Sequence, residues 1–365
     1  MRTFQVHEDY ERLRIRIPMH PFILPFLQII TRLIFKRHPI KDGIINVKKT
    51  ISGYDGHSIP LEIFGPSGIE HDVPCLLFLH GGAFALPATG YHKKLMCDYA
   101  LGCSCKVVFV DYRLVPKYPY PFGLEDCYSA YKWLLEHAEE HGIDSTRIGI
   151  CGDSAGGALA AALTLKIRDQ SVKAPLFQLL VYPVSDVEQT TDSMKKFVDT
   201  PIWNARLNKK MWDLYLPKGK PSINVEYASP LQAASFNDLP KSYIEINEFD
   251  CLRDEALLYN IKLEEYGNEV TLVQTKGTVH GFELNYNSQY TQKIIKNRIE
   301  YMKKNFDHIE SSNIHPCKSV LNQFSIVMTR TDMLTKIHGS IDGCLFSYLK
   351  KIFILMLCLF GKNFC

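Results

Sequence analysis

The stretch Gly152-Asp153-Ser154-Ala155-Gly156-Gly157 decides the fold that we predict for this chain. It follows the apolar run 147–151 and opens a segment of small residues, 158–166, that is predicted as a helix. A strand, a tight turn that carries a serine, and a helix are together the context of a nucleophile elbow. Because the turn is tight, the positions two before and two after the serine must be small, and both are glycine. The pattern alone is weak, since a glycine-rich turn without chemistry has the same letters.

The sequence around this turn alternates short apolar runs with helix-like segments between about residues 44 and 306. The runs predicted as strands are 46–52, 59–64, 75–80, 106–111, 147–151, 177–182, 242–247 and 270–275. The main helical segments are 124–141, 155–169 and 253–266. This alternation predicts the α/β class, with a mostly parallel eight-stranded sheet and helices on both faces.

Two regions, residues 1–43 and 184–225, break the alternation. The second carries Trp203, Trp212 and Tyr215 without a strand-like run. Ligands in open α/β sheets bind outside the carboxyl ends of the strands, so both regions are predicted to form a cap over that edge.

The apolar stretch 18–35 in the first region contains three prolines, a glutamine and an arginine, so it is too interrupted to span a bilayer. Its large apolar residues recur at helical spacing and predict a helix laid on a core or an interface: Phe22, Phe26, Ile29, Ile30 and Leu33.

The composition is that of a soluble globular protein with a large core: 365 residues, of which 46% are hydrophobic. A net charge of +3 is too small to indicate a nucleic-acid partner. Eleven cysteines without a regular spacing favour a reducing compartment, and charged residues before the first apolar stretch argue against a secretory signal. We therefore expect a cytoplasmic protein, with peripheral attachment to an intracellular membrane as the alternative.

The tail, residues 309–365, does not continue the alternation and ends in the apolar run 352–360. Nine residues are too few to cross a membrane as a helix. A peripheral anchor, an aggregation-prone appendage and an artefact of the gene model stay open, and we expect the catalytic domain not to need the segment.

Ser154 needs a base, because a serine hydroxyl is a poor nucleophile near neutral pH. In α/β folds of this kind the partners follow in the order serine, acid, histidine. His280 lies in a short polar turn just beyond the last predicted strand. The later histidines, His308, His315 and His338, fall at a charged helix end or in the tail. His280 is therefore the predicted general base.

Asp250 is the predicted acid, because it lies in the loop between the strand 242–247 and the helix that begins near residue 253. Glu248 and Asp254 are close rivals. Asp254 falls in the first turn of that helix, where the helix dipole favours negative charge without any catalytic purpose.

The segment HGGAF at 80–84 directly follows the strand 75–79. Acyl transfer builds negative charge on a carbonyl oxygen, and backbone N–H groups that point at this oxygen stabilise it. Gly81, Gly82 and Ala155 are the expected donors of this oxyanion hole. Taken by itself, the segment also fits an ordinary glycine turn after a strand.

Five ordered segments together resemble the hormone-sensitive-lipase-like esterase family of the α/β-hydrolase fold, which includes arylacetamide deacetylases and many microbial carboxylesterases. They are HGGAF at 80–84, DYRLVPKYPYP at 111–121, DSTRIGICGDSAGG at 144–157, FDCLRDE at 249–255 and VHGF at 279–282. The resemblance covers the catalytic domain, about 44–308, and implies Ser154, Asp250 and His280 as the triad. It also implies a helical cap built from the N-terminal segment and from the insertion after the sixth strand.

Two positions depart from the family pattern. Ala83 stands where a third glycine is common, and its methyl group is expected to narrow the pocket while leaving the donors intact. Lys117 stands where the family usually has glutamate, so a pair between that glutamate and Arg113 is expected to be lost.

The expected function is hydrolysis of short- to medium-chain carboxylic esters through an acyl-enzyme, with a small-molecule ester as substrate and with no metal or organic cofactor. Amide deacetylation and hydrolysis of lipid esters at a membrane are alternatives that use the same triad. A non-catalytic ligand receptor on the same scaffold is the alternative of another class, although such receptors lack the histidine that is present here. The sequence does not indicate the oligomeric state.

Overall fold

One mixed sheet forms the centre of the part of the chain that the structure, a computed structural model, describes: residues 5–307 apart from 14, 16, 70 and 222. The predicted tail segment, 309–365, lies outside the described residues. The strands are β1 (Ile44–Ser52), β2 (Ser58–Pro66), β3 (Val73–Leu79), β4 (Lys106–Val110), β5 (Ile143–Asp153), β6 (Phe177–Val181), β7 (Lys241–Phe249) and β8 (Val270–Val279).

The helices are α1 (Leu24–Arg37), α2 (Gly90–Cys103), α3 (Phe122–His137), α4 (Ala155–Asp169), α5 (Asp192–Lys196), α6 (Ala205–Tyr215), α7 (Arg253–Glu265) and α8 (Gln289–Asp307). α2 packs against α8, and α3 packs against α4. The predicted helix 124–141 is α3 followed by a separate 3-10 turn at Glu139–His141.

The strand order is β1-β2-β4-β3-β5-β6-β7-β8. β2 pairs antiparallel with both β1 and β4, and every later pairing in the sheet is parallel. All residues of β3 are buried, which requires that both faces of the sheet are covered. The predicted α/β-hydrolase fold class is confirmed. β5 begins earlier than predicted because the polar residues 144–147 near its start are not buried and give no apolar signal.

The predicted N-terminal helix exists as α1, but its predicted apolar face does not lie on the core. Phe22, Phe26, Ile29 and Leu33 are exposed, and Leu24, Leu27 and Phe35 are buried instead. Helical spacing identifies residues that share a face, but it does not determine which way that face points. Among the described helices, none combines the length and the apolar character needed to cross a bilayer.

Arg113 has partners that the family pattern does not predict. Its guanidinium donates to Asp126 through Nε (2.9 Å to Oδ2) and Nη2 (2.7 Å to Oδ1), and through Nη1 to Asp55 (2.6 Å). The ring of Phe122 lies 4.7 Å from the guanidinium carbon. The substitution at Lys117 therefore leaves Arg113 paired, and the local structure is held by two aspartates.

A buried ion network joins β7, α8 and the segment after β8. Arg298 is fully buried and donates to Glu245 (2.6 and 2.8 Å) and to Glu283 (2.5 Å). Tyr182 donates its hydroxyl to the other oxygen of Glu283 at 2.6 Å. Burial raises the pKa of Glu283, and Arg298 opposes that shift. Removing the cation would leave two buried carboxylates without their counterion.

Arg298→Met is therefore expected to lower the free energy of unfolding by about 3–5 kcal/mol, because it breaks a buried pair and leaves charge uncompensated. Urea denaturation followed by circular dichroism measures this loss. Lys296→Met on the same helix removes an exposed cation that lies 3.8 Å from Glu300, and it is expected to leave stability nearly unchanged. Equal stability of the two variants would contradict the account.

Candidate active site

Ser154 occupies a strained turn between β5 and α4. Its backbone has φ 55° and ψ −118°, a conformation that non-glycine residues rarely adopt. The amide of Ser154 donates to Val181 at the end of β6 (2.9 Å), and the carbonyl of Ser154 accepts from Ala158 (3.0 Å). These bonds on both sides hold the turn, so that the serine hydroxyl lies at the carboxyl edge of the sheet.

The two glycines that flank the turn are required by direct backbone contact. A Cβ atom at Gly152 would lie 2.1 Å from the carbonyl oxygen of Gly156. A Cβ atom at Gly156 would lie 2.0 Å from the carbonyl oxygen of Leu79, at the end of β3. The spacing of small residues in the sequence therefore reflects how closely β3, β5 and α4 approach one another.

Ser154, His280 and Asp250 form a continuous chain of hydrogen bonds. His280 Nδ1 lies 2.7 Å from Asp250 Oδ2, and Ser154 Oγ lies 2.8 Å from His280 Nε2. A carboxylate accepts, so Nδ1 carries the proton and Nε2 is left to accept from the serine hydroxyl. The structure thus brings together three residues that the sequence separates by 126 and 30 positions.

Asp250 reaches the ring, whereas its two rivals bond elsewhere. Asp250 is fully buried after β7, and its second oxygen accepts from the amide of Leu252 at 3.0 Å. Glu248 accepts from the amide of Gly277 at 2.7 Å, and Asp254 accepts from the amide of Ser193 at 2.7 Å. Both rivals therefore act as local structural acceptors.

The ring of His280 is enclosed by aromatic side chains. The ring centroid of Tyr182 lies 4.7 Å away, and that of Trp203 lies 6.0 Å away. Trp203 belongs to the segment 184–225, so this predicted cap segment contributes directly to the surroundings of the site. Exclusion of water by these rings strengthens the electrostatic interactions of the Asp250–His280 pair.

The loop after β3 corrects one prediction, because the N–H of Gly81 is already occupied. It donates to Asp153 Oδ1 at 2.9 Å and cannot also point at a substrate oxygen. Among the described residues, no acceptor bonds to the N–H groups of Gly82 and Ala83. The N–H of Ala155 begins α4 and therefore has no acceptor within the helix. Gly82, Ala83 and Ala155 are thus among the described residues whose N–H groups are free next to the turn that carries Ser154.

His80 sets the direction of the Gly82 N–H. Burial lowers the pKa of His80 to about 4, so the ring is neutral near pH 7. Its Nδ1 lies 2.6 Å from the carbonyl oxygen of Gly81, which can only accept. In a trans peptide the N–H points away from the C=O, so this bond directs the N–H of Gly82 to the opposite side. Tyr112 donates its hydroxyl to the carbonyl of His80 and fixes the start of the loop.

Asp153 is held in place by a second histidine. His92 Nδ1 accepts from the amide of Thr89 at 2.9 Å, so its Nε2 carries a proton and donates to Asp153 Oδ2 at 3.3 Å. Tyr91 donates its hydroxyl to the same oxygen at 3.3 Å. Burial acts to raise the pKa of Asp153, but His92 and the amide of Gly81 hold it below its ordinary value. Asp153 is therefore a carboxylate acceptor for Gly81.

Our sequence analysis missed the roles of Asp153, Ala83 and His92. Asp153 and Ala83 lie inside the GDSAGG and HGGAF motifs, which drew attention to both positions. Which loop N–H bonds to Asp153 and which stays free depends on the folded loop. His92 lies in α2 without a motif of its own, and nothing in the sequence around it indicates its contact with Asp153.

Comparison with known proteins gives a consistent result. A family model described as the alpha/beta hydrolase fold matches residues 76–284. The carboxylesterase NlhH of Mycobacterium tuberculosis is 32% identical over 245 residues, which cover 65% of this chain and 76% of that protein. An ethyl acetate hydrolase of Pseudomonas putida is 30% identical over 62% of this chain and 72% of its own.

Solved structures of esterases have the same fold. A thermostable esterase from Pseudomonas putida superposes with a TM-score of 0.74 at 31% identity, over 80% of this chain and 93% of that chain. A bacterial heroin esterase superposes with a TM-score of 0.73 at 31% identity, over 79% and 92% of the two chains.

Asp153→Ala is expected to lower kcat for a dissolved chromogenic ester by about tenfold to a hundredfold, because the loop that carries the free N–H groups loses its anchor. The change in KM should be smaller. Asp153→Asn keeps an acceptor for Gly81 and should restore most of the rate. Asp144→Ala, at the other end of β5, serves as the control. A pair of Asp153 variants with equal rates would show that the Gly81 bond does not matter.

Proposed function

The chain belongs to the α/β-hydrolase family, and on that premise we propose that Ser154, His280 and Asp250 act as nucleophile, general base and orienting acid. The chain is a carboxylic ester hydrolase, as its esterase relatives and structural neighbours are. The observation that carries the proposed roles is the relay Ser154 Oγ–His280 Nε2 at 2.8 Å and His280 Nδ1–Asp250 Oδ2 at 2.7 Å.

In the first half of the reaction, His280 Nε2 takes the proton of Ser154 while Oγ attacks the carbonyl carbon of the ester. The tetrahedral intermediate collapses, His280 gives the proton to the leaving alcohol, and the acyl group stays on Ser154. Asp250 keeps the proton on Nδ1, so that Nε2 is always the atom that exchanges protons with the reactants.

In the second half, a water molecule takes the place of the alcohol. His280 Nε2 removes its proton, and the hydroxide attacks the acyl-enzyme. Collapse of the second intermediate returns the proton to Ser154 and releases the carboxylic acid. The cycle uses the three side chains, backbone N–H donors and water.

We assign the oxyanion hole to the N–H groups of Gly82, Ala83 and Ala155. Each donor is fixed before substrate arrives, since Gly81 is bonded to Asp153 and Ala155 is fixed at the start of α4. Preorganised donors need no rearrangement during the reaction, and each is typically worth about 3 kcal/mol of transition-state stabilisation.

We further propose that residues 1–43 and 184–225 form a cap on a catalytic domain that spans 44–308. The amide of Ile202 in the second segment donates to the carbonyl of Ile15 in the first at 3.1 Å. Tyr215 at the end of α6 stacks on Phe84 of the donor loop, with ring centroids 3.8 Å apart. These contacts support a cover over the donor loop and His280 that is built from both segments.

The substrate class that we favour is short- to medium-chain esters. Phe84 follows Gly82 and Ala83 in the chain and stacks on Tyr215, and we infer that this aromatic pair limits the room for an acyl chain. The relative from Pseudomonas putida is named for ethyl acetate, the ester of a short acid. Amide deacetylation would use the same triad and the same N–H donors. We favour ester hydrolysis because the relatives are named as esterases.

The receptor alternative is disfavoured, because His280 is present and lies within hydrogen-bond distance of Ser154.

For the compartment we favour the reducing cytoplasm. The cysteines of the described chain that are free are also buried: Cys75, Cys97, Cys103, Cys105, Cys127, Cys151 and Cys251. Free buried thiols are usual where glutathione keeps proteins reduced.

A fluorophosphonate probe is expected to label the wild-type protein and not Ser154→Ala, because it reacts with a serine that is activated by a neighbouring base. Ser154→Ala should also lose turnover of a chromogenic short-chain ester while keeping its circular dichroism spectrum. Ser52→Ala, which changes an exposed serine on β1, should be labelled like the wild type. Labelling of Ser154→Ala would assign the nucleophile to another residue.

A panel of p-nitrophenyl esters from acetate through butyrate and octanoate to palmitate tests the substrate class. We expect kcat/KM to be highest among the first three and to fall by about tenfold or more for palmitate, because a long chain does not fit beside Phe84 and Tyr215. A matched series of anilides measures amide preference. A maximum at palmitate would instead support a lipid-ester hydrolase.

A further inference from the structure

Helix α1 buries Leu24, Leu27 and Phe35 against the protein, but it also exposes a second set of large apolar side chains to solvent. Gln28 donates through Nε2 to the carbonyls of Ala85 (2.8 Å) and Val115 (2.7 Å). On the opposite side, four large apolar residues form a row, here called the outer stripe: Phe22 (88% exposed), Phe26 (58%), Ile29 (60%) and Leu33 (49%). Their spacing of three and four residues places them on one face of the helix and of the turn before it.

This orientation is fixed by hydrogen bonds at several points along the helix. Arg32 donates to both carboxylate oxygens of Asp111 (3.2 and 3.3 Å). The buried side chain of Lys93 in α2 donates to the carbonyls of Phe35 and His38, at the end of α1. Turning the outer stripe inward would break all of these bonds. A contiguous apolar surface that is held outward in this way marks an interaction site.

The charge around the stripe indicates which partner it fits. The sequence segment 12–41, which contains the stripe, has seven lysines or arginines and no aspartate or glutamate, although the whole chain has a net charge of only +3. Two of these cations, Arg32 and Lys41, are paired with Asp111 and Asp98. Lys36 and Arg37 are exposed and extend the outer stripe at the end of α1. A helix with an apolar face and flanking cations lies in the plane of a membrane surface, with its apolar face between headgroups and acyl chains.

We propose that the outer stripe docks the protein on the surface of an anionic phospholipid membrane. Phe22, Phe26, Ile29 and Leu33 enter the headgroup region, and Lys36 and Arg37 pair with lipid phosphates and carboxylates. Each basic residue that lies near an anionic membrane surface adds to the binding energy of the protein. No spanning segment is needed for this mode of attachment.

The helix that carries the outer stripe is bonded to the loop that contains two of the proposed oxyanion-hole donors. Gln28 of α1 bonds to Ala85, two residues after Ala83. The next step rests on the proposed function. An ester that partitions into the bilayer surface would be concentrated close to α1 and to the loop that it contacts. The docking itself requires no hydrolysis, so the two proposals can fail separately.

Co-sedimentation of the full-length chain with vesicles tests the docking. One vesicle contains phosphatidylcholine alone, and the other adds about a third of phosphatidylserine. The stripe variant carries Phe22→Gln, Phe26→Gln, Ile29→Gln and Leu33→Gln. The control variant carries Leu258→Gln and Ile261→Gln, which remove exposed apolar residues from α7 (43% and 38% exposed). A third variant, Lys36→Gln with Arg37→Gln, tests the charge.

We expect the wild type and the control variant to bind the anionic vesicles, and the stripe variant to bind at least about tenfold more weakly. At low salt the charge variant should bind the anionic vesicles more weakly than the wild type. Raising the salt concentration should weaken binding of the wild type more than binding of the charge variant, because salt screens exposed charges. Circular dichroism and hydrolysis of a dissolved short-chain ester should match the wild type in each variant and show that the fold is intact.

Equal vesicle binding by the wild type and the stripe variant would overturn the proposal, because the contact would then lie elsewhere in the chain. A wild type that does not bind vesicles, and that light scattering shows to be a dimer while the stripe variant is a monomer, would also overturn it. In that case the outer stripe joins two copies of the chain. Absence of hydrolysis with normal vesicle binding would refute the proposed function and leave the docking in place.

Discussion

The close approach of three backbones at the turn between β5 and α4 is the constraint on which the rest of the structure depends. Carbonyl oxygens of Leu79 and Gly156 lie where a Cβ at Gly156 or Gly152 would have to be, so β3, α4 and the turn fit together without side chains at those points. The strain of Ser154, about 1–3 kcal/mol for such a backbone, is small beside the burial of the parallel strands around it. The sheet therefore holds the serine outward at its carboxyl edge.

Asp153 couples this turn to the loop after β3. It precedes the strained serine in the chain and also accepts from the amide of Gly81, so the strand end that leads to the serine also anchors the loop of the neighbouring donors. His80 and His92 act from the two sides of this contact, through Gly81 and Asp153 respectively. The site is thus a rigid unit of backbone amides and buried polar groups, on which a separate relay from Asp250 through His280 converges.

Sequence reasoning was reliable where one residue type had one structural meaning. All eight strands were predicted, and the buried parallel ones gave the clearest signal because they are continuous apolar runs. Asp250, favoured over Asp254 because it lies in a loop, is 2.7 Å from His280, and its role as the acid is proposed. Sequence reasoning was wrong or silent where the outcome depended on tertiary geometry. The acceptor for the Gly81 amide lies 72 residues away, and a partner of Arg113 lies 58 residues away. Helical spacing grouped Phe22 with Leu33 and left the direction of that face undetermined.

Rapid-quench peptide mapping by mass spectrometry tests the central claim most directly. The protein is mixed with excess p-nitrophenyl butyrate, quenched in acid before steady state, digested and searched for a butyryl group. The account predicts a butyryl ester on Ser154 that forms with the burst of nitrophenol and disappears as the substrate is exhausted. Steady hydrolysis with the butyryl group on another residue, or with no acylated peptide at any time, would contradict it.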